Sequence, residues 1–229
     1  MAGLRQMIAS VARRVHPRAE HTPCSGPFAN AMTLSSWWNR SQAGTARRPR
    51  RHRPTVGGAE PLSFSSMPTL VLIRHAQAGH GFRDFERPLT RAGRGQADRL
   101  GAALASRIGS ADIAVHSAAR RTTQTFERVR ARLAVGEHWA DKGLYYADTE
   151  DAVALARAFD PGAASALIVG HEPTMSATGH YLAREGDRDL IGWGIPTATA
   201  IVLAFDGPWE GLDEAGCRVR DVLLNDPAL

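Results

Sequence analysis

From Met67 onward the chain switches between short, unbroken apolar runs and stretches where apolar residues return every three or four positions. Leu70–Ile73, Ile113–His116, Ala164–Val169 and Ala198–Phe205 are of the first kind and read as buried strands. Arg218–Leu224 reads as a last strand at the sheet edge, after a turn at Asp206-Gly207. The second kind predicts helices. Leu89–Ile108 carries Leu100, Leu104 and Ile108 at helical spacing, and Ala118–Leu133 carries Phe126, Val129 and Leu133. Ser117 then falls at the N-cap of the second helix. Thr149, ahead of Glu150 and Asp151, is the expected N-cap of a third helix reaching Phe159. Pro173–Arg184 is a fourth, with proline in its first turn. Strands alternating with helices predict an α/β three-layer sandwich, a mostly parallel sheet with helices on both faces.

Charge divides the chain into two unlike parts. Residues 1–66 hold ten arginines against two acids, a net +8, whereas residues 67–229 hold 18 basic and 21 acidic residues, a net −3. The overall basicity therefore says nothing about the folded part. With few apolar runs and the cluster Arg47-Arg48-Pro49-Arg50-Arg51-His52-Arg53, residues 1–66 are expected to be a disordered basic extension. Leu4, Met7, Ile8, Val11 and Val15 at helical spacing among arginines allow an organelle transit peptide. The arginine cluster allows contact with nucleic acid or an anionic surface. We favour a third reading, upstream sequence ahead of a true start at Met67. With 27 arginines and one lysine, Lys142, the chain suggests GC-rich coding DNA, in which open upstream frames are arginine-rich by chance. That bias weakens the case for a nucleic-acid partner.

Residues 67–229 are the expected domain. No run approaches the ~20 apolar residues of a membrane span. The two cysteines, Cys24 and Cys217, lack Cys-x-x-Cys spacing, so neither a disulfide framework nor a thiolate metal site is implied. A reducing cytoplasm fits, with an organelle as the alternative under the transit-peptide reading.

The chemistry gathers where strands end. Leu70–Ile73 runs into Arg74-His75, Ile113-Ala114-Val115 leads to Ser117 and the Arg120-Arg121 pair, and Leu167-Ile168-Val169 leads to Gly170-His171-Glu172-Pro173. Open α/β sheets bind ligands beyond the carboxyl ends of their strands. A histidine there can be a nucleophile, and arginines can hold an anion by bidentate hydrogen bonds. Basic groups converging on one rim suit a phosphoryl group, whose transfer depends largely on positioning and charge neutralisation.

These segments resemble the histidine phosphatase superfamily, most closely its short phosphohistidine phosphatase (SixA-type) branch. The Arg-His pair stands at Arg74-His75, with Ala76-Gln77 where mutase members carry Gly and Ser. An Asp-x-x-Arg-Pro-Leu-Thr-x-x-Gly segment runs from Asp84 to Gly93. The Ser-x-x-x-Arg-x-x-Gln-Thr segment runs from Ser117 to Thr125, and Val169–Pro173 carries glutamate where the family has asparagine. The resemblance covers Met67 to the C-terminus and implies the phosphoglycerate mutase-like fold.

It also implies roles: His75 as nucleophile; Arg74, Arg121, Ser117 and Arg87 as substrate-binding residues; His171 as a phosphoryl-binding or proton-shuttling partner. Glu172 is the expected acid, with Asp148 and Glu150 as weaker alternatives. His80 reads as a loop residue, and His116 as a strand-end neighbour. No cofactor is implied, and no His-x-x-x-His or clustered carboxylate spacing suggests a metal.

The expected reaction is attack by neutral His75 on a phosphoryl group, then hydrolysis of the phosphohistidine formed. That requires an acceptor on the other ring nitrogen of His75, which a strand-end carbonyl could supply. Removing the first 66 of 229 residues leaves 163, short for a mutase. A shallow site of that kind suits phosphohistidine on a protein. Small phosphate monoesters, a mutase-like phosphotransfer and a non-catalytic phospho-binding module stay open as alternatives.

Overall fold

The computed structural model describes residues 67–81 and 83–225; the expected basic extension, residues 1–66, lies outside the described residues. Among these, six strands form one sheet: β1 Thr69–Arg74, β2 Ser110–Ser117, β3 Ala134–Asp141, β4 Ser165–Gly170, β5 Ala200–Phe205 and β6 Cys217–Leu223. Their order is β3-β2-β4-β1-β5-β6. The first four are mutually parallel, while β5 and β6 are antiparallel additions, so the sheet is mostly parallel as expected.

Among the described residues four α-helices cover it: α1 Arg91–Ile108, α2 Arg120–Arg130, α3 Thr149–Arg157 and α4 Thr174–Leu182. Strand side chains alternate between faces, and two cores result. Val71, Ile73, Ala114 and Leu167 pack with Leu100 and Leu104 of α1 and Phe126 and Val129 of α2. Leu70, Leu72, Val115 and Ile168 pack with Val153 and Ala156 of α3 and Met175 and Leu182 of α4. This is the three-layer sandwich. Each fully buried leucine or phenylalanine contributes about 1.5–3 kcal/mol relative to exposure.

Two caps differ from expectation. Ser117 is the fully buried last residue of β2, and Ala119 takes the N-cap position of α2 without a side-chain bond. The strand runs further than its apolar core suggests because β3 pairs with it up to Ser117↔Asp141. Asp148, not Thr149, caps α3, through a reciprocal capping box with Asp151. β3 itself goes unread in the sequence because it is an edge strand with mostly exposed residues.

The loop after β1 is held against α1 by close backbone approach. Thr90 caps α1 by accepting from the Gly93 N–H at 2.9 Å. A Cβ at Gly93 would lie 2.0 Å from the Gln77 carbonyl oxygen, so only glycine fits there.

Candidate active site

Register brings the strand ends level. Arg74 of β1 pairs with Gly170 of β4, and His116 of β2 pairs with Val169, so His75, Ser117 and His171 emerge together at the carboxyl edge. His75 is clamped on both sides: its N–H donates to Gly170 at 3.1 Å, and its carbonyl accepts from Ala198 at 3.1 Å. Ala198 adopts φ 58°, a left-handed backbone that costs a non-glycine residue about 1–2 kcal/mol, where its N–H meets His75.

Hydrogen-bond partners settle both histidine tautomers. Nδ1 of His75 lies 2.8 Å from the Ala76 carbonyl, which can only accept, so Nδ1 carries the proton. Its Nε2 lone pair then accepts from Arg121 Nε at 3.2 Å. Nδ1 of His171 accepts from the same guanidinium at 3.2 Å, leaving Nε2–H to donate to Ser117 Oγ at 3.0 Å. The two rings meet edge to face at 5.2 Å. Burial is the main cause that lowers both pKa values, His75 to about 4 and His171 to about 3. Both are neutral at pH 7, so Nε2 of His75 is unprotonated, and the electron pair that attack at phosphorus requires is held only by the Arg121 hydrogen bond.

Of the two neighbouring arginines, Arg120 is exposed, whereas Arg121 is buried and reaches both histidines. The rest of its segment holds the site together. Thr125 Oγ1 accepts from the Ala76 N–H at 3.0 Å and Gln124 Oε1 from the Leu89 N–H at 2.7 Å. Arg74 donates through NH1 to the Ile195 carbonyl, while its Nε is buried and unpaired among the described residues. A buried donor without a partner beside His75 is a ready place for an anion's oxygen.

Two expected residues are placed otherwise. Glu172 accepts from Ser176 Oγ at 2.6 Å and from the Ser176 N–H at 3.2 Å, and so secures the first turn of α4. No hydrogen bond links it to His75, Arg121 or His171. Arg87 reaches the cluster only indirectly, donating to the Gly79 carbonyl and to Asp84 Oδ1, each at 2.7 Å.

The carboxylate that does enter is Asp84, which pairs with Arg121 NH2 at 3.0 Å and accepts from Tyr145 Oη at 2.6 Å. The Tyr145 hydroxyl, then Arg87 and Arg121, hold Asp84 well below the usual carboxylate range. Asp84 opens the Asp-x-x-Arg-Pro-Leu-Thr-x-x-Gly segment, so the sequence carried its signal; Tyr145 carried none. His80 is exposed, and His116 is buried against Phe126. Among the described residues, no group of three or more His, Cys, Asp or Glu could hold a metal ion, and no helix is long and apolar enough to cross a membrane.

Residues 70–145 match the profile of the Histidine phosphatase superfamily (branch 1). A solved structure, the provisionally assigned phosphohistidine phosphatase SixA of Nakamurella multipartitia, is 33% identical with a TM-score of 0.61, covering 68% of this chain and 95% of its own. The corresponding Agrobacterium tumefaciens structure is 29% identical with a TM-score of 0.58, covering 68% of this chain and 97% of its own. An uncharacterized protein of Mycobacterium tuberculosis is 29% identical over 152 residues, 63% of this chain and 94% of that protein.

Proposed function

The chain belongs to the histidine phosphatase superfamily, in its short SixA-type branch, and on that premise we propose that it removes the phosphoryl group from phosphohistidine on a protein. The observation that carries this reading is the tautomer of His75: Nδ1–H spent on Ala76, Nε2 unprotonated and facing Arg121, with His171 beside it. In the proposed reaction Nε2 attacks phosphorus in line and the P–N bond to the substrate imidazole breaks. Arg74, Arg121 and His171 meet the charge on the equatorial oxygens, and Ser117 orients His171. Water then attacks the phosphoenzyme, releasing phosphate and restoring His75.

The choice of a phosphoramidate substrate rests on the leaving group. An alkoxide departs badly without a proton donor, but the carboxylate joined to this cluster is ionised and Glu172 serves α4. An imidazole that arrives protonated supplies its own proton. We propose residues 67–229 as the working domain. We place it in a reducing cytoplasm, where Cys217 is buried and its thiol pushed up to about 12 by that burial.

The test compares turnover of a phosphohistidine protein with a panel of sugar, glycerate and other phosphate monoesters. Preference for the phosphohistidine protein is expected. Faster hydrolysis of a small ester, or phosphate transfer within glycerate phosphates, would replace the reading with one of its rivals.

A further inference from the structure

The guanidinium of Arg121 presents two edges, and the structure uses them differently. Nε and NH2 face the histidines, at 3.2 Å from His75 Nε2 and 3.2 Å from His171 Nδ1. The adjoining NH1/NH2 edge belongs to one residue. Asp84 takes NH1 on its backbone carbonyl at 2.7 Å and NH2 on its Oδ2 at 3.0 Å. Asp84 is in turn held by Tyr145 Oη on Oδ2 and by Arg87 on Oδ1. The Tyr145 ring completes the enclosure, 5.7 Å from the guanidinium carbon and edge-on to His171 at 5.4 Å.

Resting on the function proposed above, we infer that Asp84, braced by Tyr145, is the positioning residue that holds Arg121 from behind. Gripped at its NH1/NH2 edge, the guanidinium keeps its Nε/NH2 edge turned to the two histidines. Its two donors there point at the lone pairs of His75 Nε2 and His171 Nδ1, and a phosphoryl group arriving at His75 would take over these hydrogen bonds on its oxygens. Phosphoryl transfer depends on such placement, and a small misalignment of a clamp costs rate steeply. Packing cannot be the main task of Asp84, whose side chain is 49% exposed. It also offsets one of the three positive charges of Arg74, Arg87 and Arg121, which eases their gathering at one strand end.

The rival reading is that Asp84 merely occupies the anion's place and must leave before substrate binds. The two differ in sign. Orthovanadate, which adopts the five-coordinate geometry of an in-line displacement, serves as the probe on the full-length protein. If Asp84 positions Arg121, Asp84→Asn lowers kcat/KM on phosphohistidine protein about 10- to 100-fold, chiefly in kcat, and weakens vanadate inhibition comparably. Tyr145→Phe, which keeps the ring and removes one hydrogen bond, moves both readouts the same way by less, and answers the question if Asp84→Asn does not fold. In an Arg121→Ala background Asp84→Asn should add nothing to the loss of vanadate affinity, because residues acting through one another are not additive. Tighter vanadate binding in Asp84→Asn, or full additivity with Arg121→Ala, overturns the inference. A wild-type protein that hydrolyses no phosphoryl compound removes the proposed function alone, since vanadate affinity still decides what Asp84 does.

Discussion

The N–H of His75 donates to the carbonyl of Gly170 at 3.1 Å, so the two strand ends that carry histidines are joined by backbone before any side chain meets. Pairing in the sheet thus sets the spacing of His75 and His171. The groups that vary the chemistry then lie on α2, in the loop after β1 and in the turn at Tyr145.

Arg121 serves this arrangement with a planar fork rather than with charge alone. Arg121→Lys keeps the charge but cannot reach His75, His171 and Asp84 together. It should lower kcat/KM by about 10²–10³, the usual cost of losing a transition-state donor. Arg120→Ala, at the exposed neighbour, should stay near wild type. Steady-state kinetics of the two variants decide the assignment, and equal losses would refute it.

The pH response follows from burial. In the unfolded chain the two site histidines titrate near 6.5, whereas in the fold His75 lies at about 4 and His171 at about 3. Between 6.5 and about 4 the unfolded state binds more protons, so stability falls as pH falls through that window. Melting temperatures should decline on acidification, and less steeply in His75→Asn and His171→Asn. NMR titration checks the cause directly: ring signals of both histidines should hold their neutral shifts down to about pH 5. Midpoints near 6.5 would contradict the burial argument.

Gly93→Ala tests how the loop after β1 is seated. The added Cβ would meet the Gln77 carbonyl at 2.0 Å, and backbone on both sides leaves no flexible group to yield. The better helix propensity of alanine offsets part of the clash. The net expectation is a destabilisation of about 1–3 kcal/mol. A drop in activity should accompany it, because Gln77 lies two residues from His75. A melting temperature equal to wild type would show that the loop can shift.

Much of this was legible in the sequence because the apolar runs of β1, β2 and β4 lead into Arg74-His75, Ser117 and Gly170-His171. Arg74, His75, Arg121 and His171 converge as their motifs imply. What escaped reading had weak local signal. Eight residues of edge strand β3 carry little apolar pattern, and without that partner the apolar run of β2 looks shorter than the strand and Ser117 looks like a cap. Glu172 matched by position alone, and position cannot reveal that Ser176 holds its carboxylate. Tyr145 acts through Asp84, 61 residues away, a proximity no spacing rule encodes.

The proposed domain boundary has its own test. Both cores draw only on residues from Leu70 onward among those described, and every motif begins at Arg74 or later. A protein beginning at Met67 should keep the melting temperature and kcat/KM of the full chain. A marked loss of either would show that residues 1–66 contribute to fold or site.

His75 is the residue on which the proposed mechanism stands or falls. His75→Ala removes the one atom placed to accept the phosphoryl group while Arg74 and Arg121 can still bind it. Turnover should fall nearly to background while vanadate or phosphate binding weakens much less. His171→Ala should cost less, about 10²–10³ in rate, if it mainly stabilises charge in the transition state. Wild-type enzyme quenched during turnover should yield a phosphoenzyme that survives alkali and is lost in acid, the behaviour of a P–N bond. The label should sit on the peptide containing His75. Label on Ser117, which is fully buried and accepts from His171, would point to an ester intermediate instead. Undiminished turnover in His75→Ala would end the mechanism and leave the fold assignment intact.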